Sequence, residues 1–285
     1  MNAETMRPKA TSMRERLALF RSNYPCRELQ IGQTRWEYIS SDKKPESMLL
    51  LGGAMATADS SFNTFLRMEE RYQMVSPSYP PVYTINEFIH GIAAILDHLN
   101  ISSTHIMGHS LGAGIAHVFV RQFPERVDKL ILDGFGLYTP IHTLFVKAFA
   151  KLPTNWLLAY YQRAIAHLLR GAQDGDTAFW ASFMEELLNA PTTRERIKGQ
   201  LGLLIDAFDK PDKYRIFQTY EKPGHVLLVL ANDDRGFSQR ERDILIASYP
   251  GAQIYTFQEG GHLSGYTHSE EFNALVDEFL IQNMV

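Results

Sequence analysis

Short runs of apolar residues alternate along this chain with longer stretches in which apolar residues recur every three or four positions. The short runs are typical of buried strands, and the longer stretches indicate amphipathic helices that pack against them. This alternation predicts βαβ units and a mostly parallel, twisted sheet, which places the chain in the α/β class. The predicted strands are 48–51, 73–75, 105–107, 130–132, 226–230 and 254–257.

Two helices and one further strand stand out in the same pattern. Residues 85–99 place their apolar side chains on one helical face, and a last helix opens at Ser269 and runs towards Gln282. Near the amino end, residues 36–38 alternate apolar and polar side chains, which favours a strand at an antiparallel edge. Together these elements predict a sheet of about eight strands flanked by helices.

The alternation stops between Leu137 and Tyr220, where the sequence shows helical periodicity and no strand pattern. This stretch joins two predicted parallel strands, so we expect an inserted helical cap, or lid, over the carboxyl ends of the strands, where open α/β sheets hold their sites. Most of its aromatic residues are expected to form the core of the cap, and a few to make the crevice apolar. They are Phe145, Phe149, Trp156, Tyr160, Tyr161, Phe179, Trp180, Phe183 and Phe208.

The chain is therefore expected to divide into three parts. The first dozen residues look like a loose arm, and residues 12–17 have the pattern of a helix that packs on a partner subunit or on the cap of the same chain. The sequence thus leaves a homodimer open. The predicted parts are an N-terminal arm over 1–28, an α/β core over 29–136 and 221–285, and the cap over 137–220.

Composition excludes several classes of function. The 285 residues are 45% hydrophobic, which is enough for an ample core, and the net charge of −4 without a basic cluster argues against nucleic-acid binding. The single cysteine, Cys26, offers neither a disulfide framework nor a thiolate metal site. The charged amino end does not resemble a signal peptide, and no apolar run reaches the roughly 18 residues of a membrane span. We expect a cytoplasmic protein without a membrane span.

The most informative motif is Gly108-His109-Ser110-Leu111-Gly112, which follows a predicted strand and precedes a helical pattern. In a nucleophile elbow, a serine occupies a sharp strand-to-helix turn, and glycines stand two positions before and after it because a Cβ atom there would collide with the turn. The motif predicts Ser110 as a nucleophile. His109 is expected to be a packed neighbour of Ser110 and not its base.

A serine hydroxyl needs a base to accept its proton and a third group to orient that base. His262 follows a glycine pair after the final predicted strand and is the predicted base. Asp234 follows the preceding strand and is the preferred orienting acid, with Asp233 as its rival; Ser238 is expected to cap the next helix. Since Ser110, Asp234 and His262 each lie just past the carboxyl end of a predicted strand, all three can converge on one edge of the sheet.

An acyl-transfer site also needs donors for the oxyanion that forms on attack. The backbone N–H of Leu111 is one predicted donor, and that of Ala54, in the glycine-bearing loop after strand 48–51, is the other. Gly53, Met55 and His109 are predicted substrate contacts beside them. We expect no metal ion and no cofactor in this chemistry.

These residues resemble those of the α/β-hydrolase fold superfamily, in the order serine, acid, histidine, over roughly residues 30–283. The resemblance also favours Asp234, because an acid four residues before a helix start is usual in that family. Gly52-Gly53 stands where histidine-glycine is common, and Ala113 where a second glycine often stands. A closer similarity to maspardin-like proteins, which implies an adaptor role, depends on short matches at 20–21, 25, 79–80, 82, 96–99 and 249–250.

The resemblance implies a carboxylesterase-like serine hydrolase that cleaves an ester of a small to medium apolar substrate through an acyl-enzyme. Haloalkane dehalogenases and epoxide hydrolases of the same fold use an aspartate nucleophile, so Ser110 argues against both. Hydrolysis of a carbon–carbon bond, a lactone, an amide or a thioester uses the same residues and stays open. A non-catalytic binding or adaptor protein of this fold is the alternative from another class.

Overall fold

Eight strands form one mostly parallel sheet in the computed structural model, which describes residues 12–137, 139–168, 177–222 and 224–281. The order across the sheet is β1-β2-β4-β3-β5-β6-β7-β8, with antiparallel pairing of β1 with β2 and of β2 with β4. This confirms the predicted fold class. The strands are β1 (Arg27–Ile31), β2 (Thr34–Ser40), β3 (Glu46–Leu51), β4 (Tyr72–Pro77), β5 (Thr104–His109), β6 (Val127–Asp133), β7 (Val226–Ala231) and β8 (Gln253–Phe257).

The antiparallel edge differs from the prediction by one strand. The segment around Trp36 lies in β2, one position in from the edge, and β1 forms the edge itself. β1 was not predicted because it is only five residues long and has just two apolar residues, Leu29 and Ile31, which alternate with polar ones over too short a run to stand out. It begins at Arg27, inside the arm predicted over residues 1–28.

Helices cover both faces of the sheet and connect its strands. The predicted helices at 85–99 and from Ser269 are present as α3 and α11. The helices outside the β6–β7 connection are α1 (Met13–Asn23), α2 (Phe62–Met68), α3 (Ile85–His98), α4 (Leu111–Gln122), α9 (Gln239–Ala247), α10 (Ser264–Thr267) and α11 (Ser269–Ile281). We number the helices of that connection α5 (Pro140–Phe149), α6 (Thr154–Leu168), α7 (Thr177–Asn189) and α8 (Thr193–Asp209).

The inserted helices α5–α8 attach to the core through their own small apolar cluster. Leu157, Leu188, Ile197 and Leu201 are buried there against Met55, which the core contributes from the loop after β3. Helix α8 also contacts α3 of the core. The described part of residues 137–220 contains four helices and no strand, and it lies beside the loop that follows β3.

Helix α1 packs on its own chain. Its buried residues Met13, Leu17 and Phe20 join the core cluster on one face of the sheet, where the Phe20 ring lies 5.1 Å from that of Phe65. Arg21 forms ion pairs with Asp59 and with Glu186 of α7. Of the two alternatives for residues 12–17, the structure therefore shows contacts within the chain. The rest of the predicted loose arm, residues 1–11, lies outside the described residues.

Phe20→Ala is expected to destabilise the whole protein, because it leaves a cavity in the core and not in a detachable arm. The expected loss in the free energy of unfolding is about 3–5 kcal/mol. Urea denaturation measures it, with Ala18→Ser on the exposed face of α1 as the matched control. An unchanged midpoint for Phe20→Ala would contradict the placement of α1 in the core.

Candidate active site

The turn that carries Ser110 is strained and tightly packed. Ser110 has φ 52° and ψ −116°, a conformation that residues with side chains rarely adopt. A Cβ atom on Gly108 would lie 2.7 Å from the Ala113 Cα, and one on Gly112 would lie 2.0 Å from the Leu51 carbonyl oxygen. Both glycines are therefore required for α4 to start directly after β5, and the turn presents Ser110 at the carboxyl edge of the sheet.

Ser110, His262 and Asp234 form one hydrogen-bonded chain. The Ser110 hydroxyl lies 2.8 Å from His262 Nε2. On the other side of the ring, His262 Nδ1 lies 3.1 and 3.2 Å from the two carboxylate oxygens of Asp234. This arrangement fixes the neutral imidazole with its proton on Nδ1, so that Nε2 can accept a proton from Ser110.

The environment of Asp234 keeps it ionised. Burial by itself raises the pKa of this carboxyl group, but the hydrogen bond from His262, the Gly236 N–H and the Arg242 charge outweigh it, and the net pKa lies below its usual value. Asp233 has a different place, since its carboxylate accepts a hydrogen bond of 2.8 Å from the Gly261 N–H. The structure therefore brings Asp234, and not its rival, to His262.

His109 belongs to a second histidine–aspartate pair beside the first. Its Nδ1 lies 2.8 Å from Oδ2 of Asp133, a buried carboxylate at the end of β6. The other oxygen, Asp133 Oδ1, has no hydrogen-bond partner among the described residues. The His109 and His262 ring centroids are 5.3 Å apart. His109 thus lies next to the serine without contacting it as a base, as the sequence predicts.

A cavity of about 200 Å³ opens above Ser110 and His262. Its walls come from the loop after β3, from the inserted helices α6 and α7, and from the segment that follows His262. Of the predicted substrate contacts, Gly53 and His109 lie in these walls. The other lining residues include Ala54, Ser60, Tyr160, Tyr161, Trp180, Phe183, Met184, Leu187, Leu263, Tyr266 and Thr267.

A second cavity of about 220 Å³ lies on the other side of the serine. Ser110, Ala54 and Tyr161 border both cavities, so the serine stands where the two meet. Apolar side chains dominate its lining, among them Ile85, Ile115, Phe135, Leu137, Leu203, Phe208 and Phe237. A molecule that spans both cavities would place a bond near its middle against Ser110.

Both predicted oxyanion donors belong to backbone that borders Ser110. Leu111 is the first residue of α4, so its N–H has no carbonyl partner within the helix. Ala54 is exposed in the loop opposite. Tyr79 steadies the start of this loop, because its hydroxyl donates a hydrogen bond of 2.6 Å to the Gly52 carbonyl.

The same loop is held from above by α8. Arg196 Nη2 donates hydrogen bonds to the carbonyl oxygens of Met55 and Ala56 at 2.7 and 2.6 Å. Gln200 Oε1 accepts the Met55 N–H at 3.1 Å. Met55 itself has φ 68° and is fully buried among apolar side chains of the inserted helices, and it is not among the residues that line the two cavities. It therefore departs from its predicted role as a substrate contact and anchors the loop.

Several site residues were not anticipated from the sequence. Asp133 carried a usable signal, because it ends a strand in the same way that Asp233 and Asp234 follow one. Arg196 and Gln200 carried none, since nothing local connects helix α8 to the loop after β3. Ser238 is the N-cap of α9, as expected, and Glu241 accepts a hydrogen bond from its N–H.

The described residues form neither a metal-binding cluster nor a membrane-spanning helix. No group of three or more His, Cys, Asp or Glu side chains in the described part of the chain is placed to hold a metal ion. None of the described helices combines the length and the apolar character needed to cross a bilayer.

This chain is distantly related in sequence to known hydrolases, and solved structures of hydrolases superpose on about 90% of it. A 2-hydroxy-6-oxononadienedioate/2-hydroxy-6-oxononatrienedioate hydrolase of Burkholderia vietnamiensis is 27% identical over 194 residues, which is 66% of each chain. The protein of the same name from Escherichia coli K12 is 27% identical over 200 residues, again 66% of each. The matched region thus spans slightly less than two thirds of these relatives.

Among solved structures, the enol-lactonase from Burkholderia xenovorans LB400 superposes with a TM-score of 0.72 at 13% identity, over 90% of this chain and 100% of that one. A hydrolase from Pseudomonas aeruginosa PA01 gives 0.70 at 16% identity, over 90% and 99%. Residues 67–269, which include Ser110, Asp234 and His262, match the family described as the alpha/beta hydrolase fold. This chain belongs to that family.

Proposed function

We propose that this protein is a serine hydrolase that cleaves a carboxylic ester of a small to medium, neutral and largely apolar substrate. The observation that carries the proposal is the continuous hydrogen bonding from Ser110 through His262 to Asp234, at the junction of two apolar cavities. The nucleophile Ser110, the base His262 and the orienting acid Asp234 have the geometry that nucleophilic attack on a carbonyl requires.

In the first half of the proposed reaction, Ser110 Oγ attacks the ester carbonyl carbon while its proton passes to His262 Nε2. Asp234 stabilises the imidazolium that forms. The carbonyl oxygen becomes an oxyanion, which the N–H groups of Leu111 and Ala54 receive. The positive end of the α4 dipole also points at this charge. His262 then returns the proton to the departing alcohol, which leaves Ser110 acylated.

In the second half, water replaces the alcohol. His262 Nε2 takes a proton from the water as its oxygen attacks the acyl carbon, and the same two backbone N–H groups hold the second oxyanion. Collapse of this intermediate returns the proton to Ser110 Oγ and releases the carboxylic acid. No cofactor takes part in either half of the proposed reaction.

The substrate class follows from the two cavities. No Lys, Arg, Asp or Glu side chain is among the described residues that line either one. Burial of an unpaired charge is costly, so walls of this kind favour a neutral ligand. The aromatic residues Tyr161, Trp180 and Phe183 around the first cavity fit an apolar acyl or aryl group. We place the acyl and alcohol portions in separate cavities, with the ester at Ser110.

Carbon–carbon bond hydrolysis is the second candidate, favoured by the names of the relatives that are 27% identical. Those names describe dioates, whose two carboxylates would each need a polar or cationic partner. No Lys or Arg side chain is among the described residues that line the first cavity, so a carboxylate there would lack such a cationic partner. Lactone cleavage, which the name of the Burkholderia xenovorans enzyme favours, needs no such partner and uses the same catalytic steps.

The maspardin-like resemblance implies an adaptor role. A non-catalytic adaptor does not need a serine, a base and an orienting acid in hydrogen-bonding contact. A ligand-binding pocket can be built from apolar walls alone, whereas the turn at Ser110 is strained and presents a hydroxyl group to both cavities. The ordered contacts of His262 and Asp234 add to this argument. We therefore place catalysis ahead of the adaptor role.

Ser110→Ala is expected to lower ester hydrolysis to the background rate, because the base then has no nucleophile to activate. Initial rates on p-nitrophenyl esters from acetate to palmitate measure this for wild type and variant. Wild type should show an optimum at a short to medium acyl chain, set by the size of the cavity. Turnover that persists in pure Ser110→Ala protein would show that Ser110 is not the nucleophile.

Asp234→Asn is expected to lower kcat by about 10⁴-fold, because the amide no longer holds the required tautomer of His262. Asp233→Asn is the matched control, and it should keep kcat within a few-fold of wild type. Steady-state kinetics on the best ester of the panel compare the two. Equal losses of kcat in the two variants, or a larger loss for Asp233→Asn, would show that Asp234 is not the acid that orients His262.

Arg196→Met is expected to lower kcat roughly 10- to 100-fold with little change in KM, since a shift of about 1 Å in the loop misplaces the Ala54 N–H. The substitution keeps most of the side-chain volume and removes the donors to Met55 and Ala56. Arg194→Met, exposed on the same helix, is the control. An unchanged kcat in folded Arg196→Met protein would refute the positioning role.

A further inference from the structure

We propose that the outer face of helices α5 and α6 docks on an anionic lipid surface. Four large side chains there are solvent-exposed: Leu144 to 70%, Phe145 to 65%, Trp156 to 67% and Tyr160 to 53%. We call these four residues the outer apolar face. Soluble proteins rarely expose contiguous apolar patches of this kind unless the patch binds something.

Helices α5 and α6 each carry packed apolar side chains and exposed ones. Their inner side, with Leu157 buried and Val146, Phe149 and Tyr161 partly buried, packs into the cluster that attaches the inserted helices to the core. A second set on α6 is exposed and shares one helix face: Trp156, Tyr160 and Arg163 follow at intervals of four and three residues. Packing against the core therefore explains why the inner side is apolar, but it does not explain the exposed apolar side chains.

The composition of the outer apolar face suits a lipid interface. Trp and Tyr carry an apolar ring with a polar tip, which is the combination enriched where hydrocarbon meets water. The Phe149 ring packs edge-on against Tyr160, with centroids 4.8 Å apart, and holds it on this face. A monotopic protein of this type buries such side chains at the level of the headgroups without spanning the bilayer.

The surrounding charge identifies an anionic partner. Residues 134–173 contain no aspartate or glutamate, although the whole chain is acidic with a net charge of −4. The same segment contains Lys147, Lys151, Arg163 and Arg170. Lys147 pairs with Asp209 of α8, whereas Lys151 and Arg163 are exposed beside the outer apolar face. Basic residues near anionic headgroups strengthen binding by attraction to the surface potential.

A second copy of the chain fits this face less well. In a twofold dimer the patch would meet itself, and the basic residues of the two copies would face each other. An anionic membrane neutralises these charges instead. Tyr160 also lines the cavity above Ser110, so docking would place the mouth of the cavity next to the lipid. This last point depends on the proposed function; the docking itself does not.

Vesicle binding by the Ser110→Ala variant tests docking separately from catalysis. Vesicles of phosphatidylcholine with phosphatidylserine are compared with vesicles of phosphatidylcholine alone, by co-sedimentation and by tryptophan emission. Trp156 is exposed, while Trp36 is buried and Trp180 partly buried, so a blue shift on binding reports mainly on Trp156. We expect at least about 10-fold tighter binding to the anionic vesicles, weakened by added salt.

Two sets of substitutions decide whether this face is responsible. Leu144→Ser combined with Phe145→Ser should abolish binding, and Lys151→Glu with Arg163→Glu should remove the preference for anionic vesicles. Phe217→Ser, at another exposed aromatic residue, is the matched control and should bind as the parent does. Absence of binding to both vesicle types, or a dimer in sedimentation that Phe145→Ser dissociates, would overturn the proposal.

Discussion

Close packing of backbone around Ser110 is the constraint on which the rest of the site depends. Helix α4 starts directly after β5 and passes within contact distance of the end of β3, which only glycine at 108 and 112 permits. The strain at Ser110 is the cost of that approach. In return, the turn fixes the serine at the carboxyl edge of the sheet, where the loops after β3, β7 and β8 bring Ala54, Asp234 and His262.

The inserted helices complete the site as well as covering it. Arg196 and Gln200 of α8 hold the loop after β3, and Tyr161 and Trp180 close the first cavity. The proposed oxyanion donor Ala54 therefore depends on a helix more than 140 residues away in sequence. A change in the packing of α8 is expected to reach the chemistry through this loop, whereas the contacts among Ser110, His262 and Asp234 come from the core alone.

Short sequence motifs predicted those parts of the site whose positions depend on neighbouring residues. The glycine spacing around Ser110, the glycine pair before His262 and the position of Asp234 after β7 each sufficed to place a residue at the sheet edge. Strand β1 was missed because its alternation is limited to two apolar residues, Leu29 and Ile31, in a strand of five residues. Met55 was predicted to contact the substrate but does not line either cavity. The roles of Arg196 and Gln200 were not predicted. All three roles depend on how α8 packs on a distant loop.

We propose that the two apolar cavities, the triad of Ser110, His262 and Asp234, and the outer apolar face together serve the hydrolysis of apolar substrates. Reaction of the folded protein with an active-site-directed fluorophosphonate, followed by intact-mass analysis and peptide mapping, tests the central claim most directly. We predict a single phosphonyl group on Ser110 of the wild type and none on Ser110→Ala. A folded wild-type protein that stays unlabelled, or that carries the group on another residue, would contradict Ser110 as the nucleophile.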